Sequence, residues 1–411
     1  MKILAIETSC DETAISIIEA KGGLKKPQFK ILADTVISQI NIHKEYGGVF
    51  PALAKREHVK NLLPILGETL KKAKMLSFEK NHKTQITNYK QNTKYKTQIT
   101  KIKKILEREV EMVEPLLDFL KNNKIPKIDA IAVTQGPGLE PALWTGINFA
   151  KALALAWDKP FIPVNHMEGH LVASLLKLKV TSSKYKGVEF PALGLLISGG
   201  HTELIMVKDW MDYKLIGQTR DDAVGEAYDK VARMLGLPYP GGPEISKLSE
   251  EFSKNYSLPT THYPLPRPML HTNDFDFSFS GLKTAVLYTV KNIKNHAYRQ
   301  AGMTPEIKKE ICAEFENAVV DVLLFKTKKA VAKNNIKTLI LGGGVTANKK
   351  IRKEFKKLEK ELGIDVLVPD AKHSTDNAVM IGIAGYFRYL DNKVLLPNKT
   401  AKIRAEGNLA L

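Results

Sequence analysis

The segment that decides the fold is KILAIETSCDETAISII, residues 2–18, in which two short aliphatic runs flank a polar turn. Short runs rich in β-branched residues indicate β-strands, and a polar connection between two of them indicates an antiparallel hairpin. The same arrangement recurs at residues 193–207, LGLLISGGHTELIMV. The chain therefore contains two copies of one strand–turn–strand unit.

Each hairpin is followed, further along the chain, by a strand that ends on glycines and leads into a helix. In the first half the strand AIAV, residues 130–133, precedes GPGL at 136–139; in the second, LIL at 339–341 precedes GGGV at 342–345. Strands that alternate with helical patterns are typical of α/β proteins. We predict two duplicated α/β lobes facing a central cleft, with the polar and glycine turns at the carboxyl ends of strands, where such folds bind ligands.

Composition excludes several classes of protein. The 411 residues include 62 Lys and Arg against 44 Asp and Glu, a net charge of +18 that indicates a polyanionic partner. Cys10 and Cys312 are the only cysteines, so we expect no disulfide framework and a reducing compartment, the cytoplasm. We also expect no signal peptide and no membrane span, because no run approaches the roughly 20 apolar residues that a bilayer requires.

One lysine-rich segment departs from the α/β pattern. Residues 71–104 hold eleven lysines and one acid, which is +10 of the total charge, and the pentamer KTQIT occurs there twice. Low-complexity polar sequence of this kind buries little apolar surface. We predict a mobile surface insertion at about 73–111, either a solvated extension without function or an arm that contacts RNA.

Two histidines have the spacing of a metal site. His166 and His170 are four residues apart, so on a helix both imidazoles lie on one face. A catalytic metal normally needs a third ligand, and the alternative is a pair of partly buried polar histidines. Because position 167 is Met, this is not the zinc-protease H-E-x-x-H pattern. Glu168 would point roughly 160° away from the face of the two histidines, which argues against a peptidase.

Three further stretches could bind a ligand. The paired glycines of SGGHT, residues 198–202, and the strand-to-helix turn GGGVTAN, residues 342–348, both allow close backbone approach to a phosphate, although glycine turns are also common without function. The acidic residues of 221–230 suit the first turn of a helix, but Asp229 lies too deep in the helix for that role. Near the end of the chain, Thr375 or Ser374 could cap a helix, and Asp376 is either a charge near that cap or the missing metal ligand.

In their order along the chain these motifs resemble the bacterial-type tRNA N6-adenosine threonylcarbamoyltransferase family, TsaD, whose members were once described as glycoproteases. The motifs that carry the resemblance are IETSCDET at 6–13, HMEGH at 166–170, SGGHTEL at 198–204, GEAYDK at 225–230, YPGGP at 239–243, GGGVTAN at 342–348 and TDNA at 375–378.

The resemblance implies the actin/Hsp70/sugar-kinase fold. We accordingly expect an N-terminal lobe of residues 1–165 and 384–411 and a C-terminal lobe of residues 166–383 that carries the metal and adenylate sites. It also implies an enzyme that transfers the threonylcarbamoyl group from threonylcarbamoyl-AMP to N6 of adenosine 37, in tRNAs that read codons beginning with A. The expected partners are tRNA, a TsaB-like subunit and a TsaE-like ATPase.

The resemblance also implies the residues of the site. Carried over by motif, the metal ligands are His166, His170 and Asp376, which hold one divalent ion per subunit, Fe²⁺ or alternatively Zn²⁺. The adenylate is expected to contact Leu196, Ile197, Ser198, Gly199, Gly200, Asp229, Gly242 and Asn348.

Neither the identity of the proton acceptor nor the role of one loop follows from the resemblance. Asp11 or Glu12 is the candidate base that takes the proton of the attacking adenine amine. The residue after Pro51 is Ala52, where the family has Glu, so that loop lacks one carboxylate. An ATP-dependent sugar or acetate kinase of the same fold, a metallopeptidase and a non-catalytic binding subunit are the alternatives.

Overall fold

The computed structural model describes residues 1–78, 93–177, 187–255, 261–295 and 303–411. The chain divides into two compact units. The first unit comprises Met1–Ile42, Val49–Tyr185 and Asp376–Leu411, and the second comprises His43–Gly48 and Lys186–Thr375. Each unit has its own cluster of buried apolar side chains.

Each unit is built on one five-stranded sheet. The strands of the first sheet are β1 (Lys2–Glu7), β2 (Glu12–Lys21), β3 (Gln28–Ser38), β4 (Ala130–Gly136) and β5 (Phe161–Asn165). Those of the second are β6 (Ala192–Ile197), β7 (Thr202–Asp209), β8 (Asp212–Gln218), β9 (Thr338–Gly342) and β10 (Asp365–Leu367).

The two sheets have the same topology. The first has the order β3-β2-β1-β4-β5 and the second β8-β7-β6-β9-β10. In both, the first three strands form an antiparallel meander and the last two run parallel to the first strand. The pairing of β1 with its two neighbours sets Ile6 opposite Ile15 and Val133, and that of β6 sets Leu195 opposite Leu204 and Leu341. The prediction of two duplicated α/β lobes is confirmed.

Helices cover the first sheet and form the rest of that unit. They are α1 (Ile40–His43, which reaches the unit boundary), α2 (Pro51–Lys72), α3 (Thr93–Ile105), α4 (Val110–Asn122), α5 (Glu140–Trp157), α6 (His166–Val172) and α12 (Ala378–Leu390). Those of the second unit are α7 (Val224–Met234), α8 (Gly241–Asn255), α9 (Ser280–Asn295), α10 (Pro305–Asn334) and α11 (Lys349–Leu362).

The unit boundaries differ from the expected lobes of 1–165 with 384–411 and of 166–383. Helix α12 packs against β1, β2, β4 and β5 and also against α6, so both helices belong to the first unit. The approach of α12 to the sheet is close because residue 385 is glycine: a Cβ there would lie 2.8 Å from the Cβ of Ala132. As a consequence, His166, His170 and Asp376 all lie in the first unit, rather than in the second as expected.

Part of the lysine-rich segment is folded, contrary to the prediction of a mobile insertion at 73–111. Residues 79–92 lie outside the described ranges, but residues 93–105 form helix α3. The side chains of Ile102, in this helix, and of Leu106, just after it, are buried in the apolar core of the first unit. In addition, Gln98 Nε2 donates a hydrogen bond to the carbonyl of Leu155 at 2.7 Å. This half of the segment folds despite its low complexity, because its apolar residues have helical spacing and form a stripe that packs on the core.

The described helices also bear on the expected absence of a membrane span. None of them combines the length and the hydropathy that crossing a bilayer requires.

The packing of α3 predicts a loss of stability for Ile102→Ala. Deleting a fully buried aliphatic side chain costs about 2–5 kcal/mol of unfolding free energy, because buried contacts are lost and a cavity remains. Urea unfolding followed by circular dichroism measures this change. Lys101→Ala, at an exposed position of the same helix, is the matched control, expected within about 0.5 kcal/mol of the parent. Equal stability of the two variants would contradict the packed position of α3.

Candidate metal centre and adenylate site

The two histidines occupy the first two turns of helix α6. This helix begins immediately after β5, and its N-cap is Asn165, whose Oδ1 accepts hydrogen bonds from Met167 N at 2.8 Å and Glu168 N at 3.3 Å. The cap holds the first turn at the end of the strand. His166 and His170 then lie on one helix face, with ring centroids 4.6 Å apart. The predicted helical placement of the pair is observed.

Asp376 stands beside both imidazoles. Its Oδ1 lies 3.0 Å from His170 Nε2 and 3.3 Å from His166 Nε2. Helix α12 is capped by Asn377, whose Oδ1 accepts from Met380 N at 3.0 Å, so neither Ser374 nor Thr375 is the cap. Asp376 is therefore not the capping residue, and its carboxylate faces the two histidines.

A buried carboxylate lies on the opposite side of His166. Glu7, at the end of β1, places Oε2 3.1 Å from His166 Nδ1, and its side chain is fully buried. Burial by itself would lower the pKa of His166, but Asp376 and Glu7 together raise it well above its usual value. Burial lowers the pKa of His170. Burial would raise the pKa of Asp376, but the two imidazoles hold it far below its usual range.

The three side chains fit a divalent metal ion. One ligand atom from each of His166, His170 and Asp376 can be chosen so that all lie within 4.8 Å of one another. When Nδ1 of His166 donates its hydrogen to Glu7, Nε2 presents a lone pair to the carboxylate oxygen of Asp376. Once Nε2 carries no proton, it and Asp376 Oδ1, which lie 3.3 Å apart, can both bind the same cation. Two imidazoles and one carboxylate suit Fe²⁺ and Zn²⁺.

Glu168 points to a different partner. Its Oε2 accepts a hydrogen bond from Arg388 Nε at 2.5 Å, and its side chain is fully buried. A carboxylate paired with an arginine in this way is not presented to the histidine pair as a protease base would be.

The turn after β1 contains the candidate bases Asp11 and Glu12. Asp11 is buried, and Glu12 begins β2, where Ser38 Oγ donates to its Oε1 at 3.3 Å. Burial, then the nearby charges of Asp11 and Asp376, raise the pKa of Glu12 well above its usual value. Burial and Asp11 also raise the pKa of the Cys10 thiol, so this cysteine stays protonated and is not a thiolate nucleophile.

In the second unit the turn after β6 is closed by its own serine. Ser198 Oγ accepts from the amides of Gly200 at 3.3 Å and His201 at 3.1 Å. The carbonyl of Ser198 accepts from Gly225 N at 3.2 Å, which ties the start of α7 to this turn. Gly199 and Gly200 are exposed, and a Cβ on either would meet no atom within 4 Å. The open side of this turn is therefore accessible to a ligand.

The glycine turn after β9 contacts the end of β6. Gly343 has φ +89°, and a Cβ there would lie 2.4 Å from the carbonyl oxygen of Ile197. Only glycine permits this approach. Leu196 and Ile197, the last residues of β6, are thus in contact range of the turn that leads to Asn348.

Asp229 and Asn348 both form hydrogen bonds to helix α8. Asp229 Oδ1 accepts from Gly241 N at 2.7 Å, next to Gly242. Asn348 caps α11, since its Oδ1 accepts from Ile351 N at 3.0 Å, and its Nδ2 donates to Ser246 Oγ of α8 at 2.8 Å. All the residues expected at the adenylate lie in the second unit.

Two buried acids took no role in the sequence-based prediction. Glu7 was quoted as part of a polar turn, and Glu316 was not singled out. Glu316 Oε1 accepts from Asn348 Nδ2 at 2.7 Å, and its side chain is almost fully buried. Its signal in the sequence is its spacing, because it lies four residues from both Cys312 and Val320 on an otherwise apolar helix face.

Two solved structures are distantly similar to this chain. Component A of the (R)-2-hydroxyglutaryl-CoA dehydratase of Acidaminococcus fermentans is 14% identical, with a TM-score of 0.43, and the alignment covers 98% of this chain and 100% of that one. The ROK hexokinase from Thermus thermophilus is 12% identical, with a TM-score of 0.39 and coverage of 95% and 100%. These values carry no argument about the fold, which rests on the strand order of the two sheets.

Sequence relatives are much closer. The tRNA N6-adenosine threonylcarbamoyltransferase of Staphylococcus carnosus (strain TM300) is 41% identical over 387 residues, which cover 94% of this chain and 91% of the relative. The protein of the same name from Persephonella marina (strain DSM 14350 / EX-H1) is 40% identical over 395 residues, with coverage of 95% and 91%.

A family model agrees with these relatives. The model described as "TsaD: tRNA N6-adenosine threonylcarbamoyltransferase" matches residues 30–88 and 92–383. The match includes most of the lysine-rich segment and omits only residues 89–91 of it. This chain belongs to the tRNA N6-adenosine threonylcarbamoyltransferase family and is a transferase that modifies tRNA.

Proposed function

We propose that this transferase moves the threonylcarbamoyl group from threonylcarbamoyl-AMP to N6 of adenosine 37, in tRNAs that read codons beginning with A. The observation that carries the proposal is the convergence of His166, His170 and Asp376 in a chain that also has the family's adenylate motifs. A sugar or acetate kinase would need the glycine turns but not this ligand set, and the pairing of Glu168 with Arg388 argues against a peptidase.

The second unit binds the adenylate part of the donor. Its supports are the exposed turn after β6, where Gly199 leaves its backbone open to a phosphate, and the N-terminus of α11 at Asn348. Asp229 has one carboxylate oxygen bound to Gly241 N, and its carboxylate is the group we assign to the ribose hydroxyls. Leu196, Ile197 and Gly242 complete this proposed subsite.

The first unit holds the metal and the proposed proton acceptor. A divalent ion bound by His166, His170 and Asp376, Fe²⁺ or Zn²⁺, would supply Lewis-acid chemistry to the oxygens of the donor. Asp11 or Glu12 accepts a proton from the adenine amine. The raised pKa of Glu12 makes its ionised carboxylate a stronger base.

The reaction exchanges one bond for another. N6 of adenosine attacks the carbonyl carbon of the mixed anhydride and forms the new C–N bond, while the bond from that carbon to the phosphate oxygen breaks. AMP leaves with the electron pair, and the amide N–H group of Gly199, in the exposed turn after β6, stabilises its phosphate. The proton lost by N6 passes to the carboxylate of the first unit.

The proposal also includes the partners and the compartment that are expected for the family. The partners are tRNA, a TsaB-like subunit and a TsaE-like ATPase. A tRNA substrate and two free cysteines, Cys10 and Cys312, fit the reducing cytoplasm.

Restoration of the modified nucleoside tests this function. Cells that lack their own enzyme are complemented with this chain and TsaB-like and TsaE-like partners, and their tRNA is digested and examined by mass spectrometry. We expect threonylcarbamoyladenosine to reappear in tRNAs that read codons beginning with A. Its absence, with all the proteins expressed, would overturn the proposed reaction.

Removal of one ligand tests the metal centre. His170→Ala leaves two of the three ligands, so we expect bound metal, measured by plasma mass spectrometry, to fall below about a tenth of the parent value and transfer to be lost. His262→Ala is the control, since its ring is largely exposed and lies in the second unit. Full transfer activity in metal-free His170→Ala protein would contradict a role for the metal.

A single atom change tests the adenylate subsite. Asp229→Asn keeps an oxygen that can accept from Gly241 N but replaces the other carboxylate oxygen with an amide. We expect AMP, used as the probe in calorimetry, to bind about tenfold more weakly, a loss of about 1.4 kcal/mol. Glu226→Gln, an exposed carboxylate on the same helix α7, should bind AMP like the parent. Unchanged binding by Asp229→Asn would remove Asp229 from the subsite.

A further inference from the structure

We propose that Glu7 is a positioning residue that holds His166 in the orientation and tautomer required of a metal ligand. The inference rests on the proposed metal centre and goes beyond it, because Glu7 would set metal affinity without contacting the ion.

The carboxylate of Glu7 is held on both of its oxygens. Oε1 accepts from Ser9 N at 2.5 Å, within the turn after β1, and Oε2 accepts from Thr134 Oγ1 of β4 at 2.5 Å. Its side chain and that of Thr134 have no exposed surface. Because β1 and β4 are paired neighbours inside the sheet, these contacts tie the carboxylate to two interior strands of the first unit.

From this fixed position Glu7 reaches the nitrogen of His166 that points away from Asp376. The distance from Glu7 Oε2 to His166 Nδ1 is 3.1 Å, and His166 Nε2 lies 3.3 Å from Asp376 Oδ1. A neutral imidazole has one N–H. When that hydrogen is on Nδ1 it is donated to Glu7, and the lone pair of Nε2 is available to the metal. The other tautomer puts the hydrogen on Nε2, where it blocks coordination.

Ser9 is the second group beside Nδ1, and it does not select a tautomer. Its Oγ lies 3.2 Å from His166 Nδ1, but a hydroxyl can either donate or accept a hydrogen bond. An ionised carboxylate only accepts. The choice of the Nδ1–H form therefore comes from Glu7.

The second histidine has no such support. Among the residues that the structure describes, the buried Nδ1 of His170 has no hydrogen-bond partner, while its Nε2 lies 3.0 Å from Asp376. His166 is thus the ligand whose geometry is set before the metal arrives, and Glu7 sets it.

The test is zinc affinity of the purified full-length chain, measured by competition with a chelator. Glu7→Gln preserves size, but its amide can donate to Nδ1 and so favour the blocking tautomer. We expect Zn²⁺ to bind 10- to 100-fold more weakly, the usual effect of losing such a partner. Nitrogen-15 spectra of the metal-free protein, recorded at a pH high enough for the His166 ring to be neutral, should show more of the Nε2–H form in Glu7→Gln, which a merely structural role of Glu7 would not produce.

Two variants serve as controls. Ser9→Ala should leave zinc affinity within about threefold of the parent, because the hydroxyl does not select the tautomer. Glu109→Gln changes another buried carboxylate of the first unit, one that accepts from Asn148 Nδ2 at 3.0 Å, and should bind zinc normally. If Glu7→Gln fails to fold, Thr134→Val removes the hydroxyl that holds Oε2 and should also weaken zinc binding, by a smaller factor.

The outcomes separate the inference from the proposed function. If the parent chain does not bind zinc or iron, the metal centre itself is wrong. If the parent binds zinc and folded Glu7→Gln binds it equally well, or if Ser9→Ala weakens it as much as Glu7→Gln does, the positioning role of Glu7 is overturned while the metal centre stands. If Glu7→Gln does not fold, unchanged zinc affinity in Thr134→Val overturns that role.

Discussion

The packing of helix α12 on the first sheet is the contact on which the metal centre depends. The helix comes close to the strands because Gly385 has no side chain to collide with Ala132. This approach places Asp376, just before the helix N-cap, within 3.0 Å of a histidine that lies 206 residues earlier in the chain. The same packing draws α6 and the last part of the chain into the first unit. One helix–sheet contact thereby decides both the ligand set and the unit boundary.

The two sheets share their strand order but have acquired different chemistry at the same turn. After β1 the turn carries acidic side chains, among them Asp11 and Glu12, and Glu7 stands buried at its start. After β6 the equivalent turn carries Gly199 and Gly200, which have no side chains to block the approach of a ligand to the backbone. A carboxylate turn suits cations and protons, while a glycine turn suits a phosphate. Duplication of one fold with divergent turns thus gives one lobe for the metal and one for the nucleotide in the proposed reaction.

Much of the fold and part of the site could be predicted from local pattern. The hairpins and the helical spacing of His166 and His170 are short-range features, and the structure has both. The two compact units have other bounds than the expected lobes, and helix α3 was not predicted. Both depend on burial against distant elements: α12 against the first sheet, and Ile102 in a stripe that continues beyond the lysine-rich window. The candidate bases and the ribose carboxylate stay predictions, because no bound substrate contacts them.

By itself the sequence determined the duplicated α/β architecture, the shared face of the two histidines and the family, because periodicity, helical spacing and motif order are all properties of the linear chain. Only the tertiary structure decided which residues surround His166. Glu7 and Asp376 come from a strand end and a helix start at opposite ends of the chain, and no local signal relates their distances to the imidazole. Contacts between remote segments are fixed by packing of the whole unit, and the metal centre is made of such contacts.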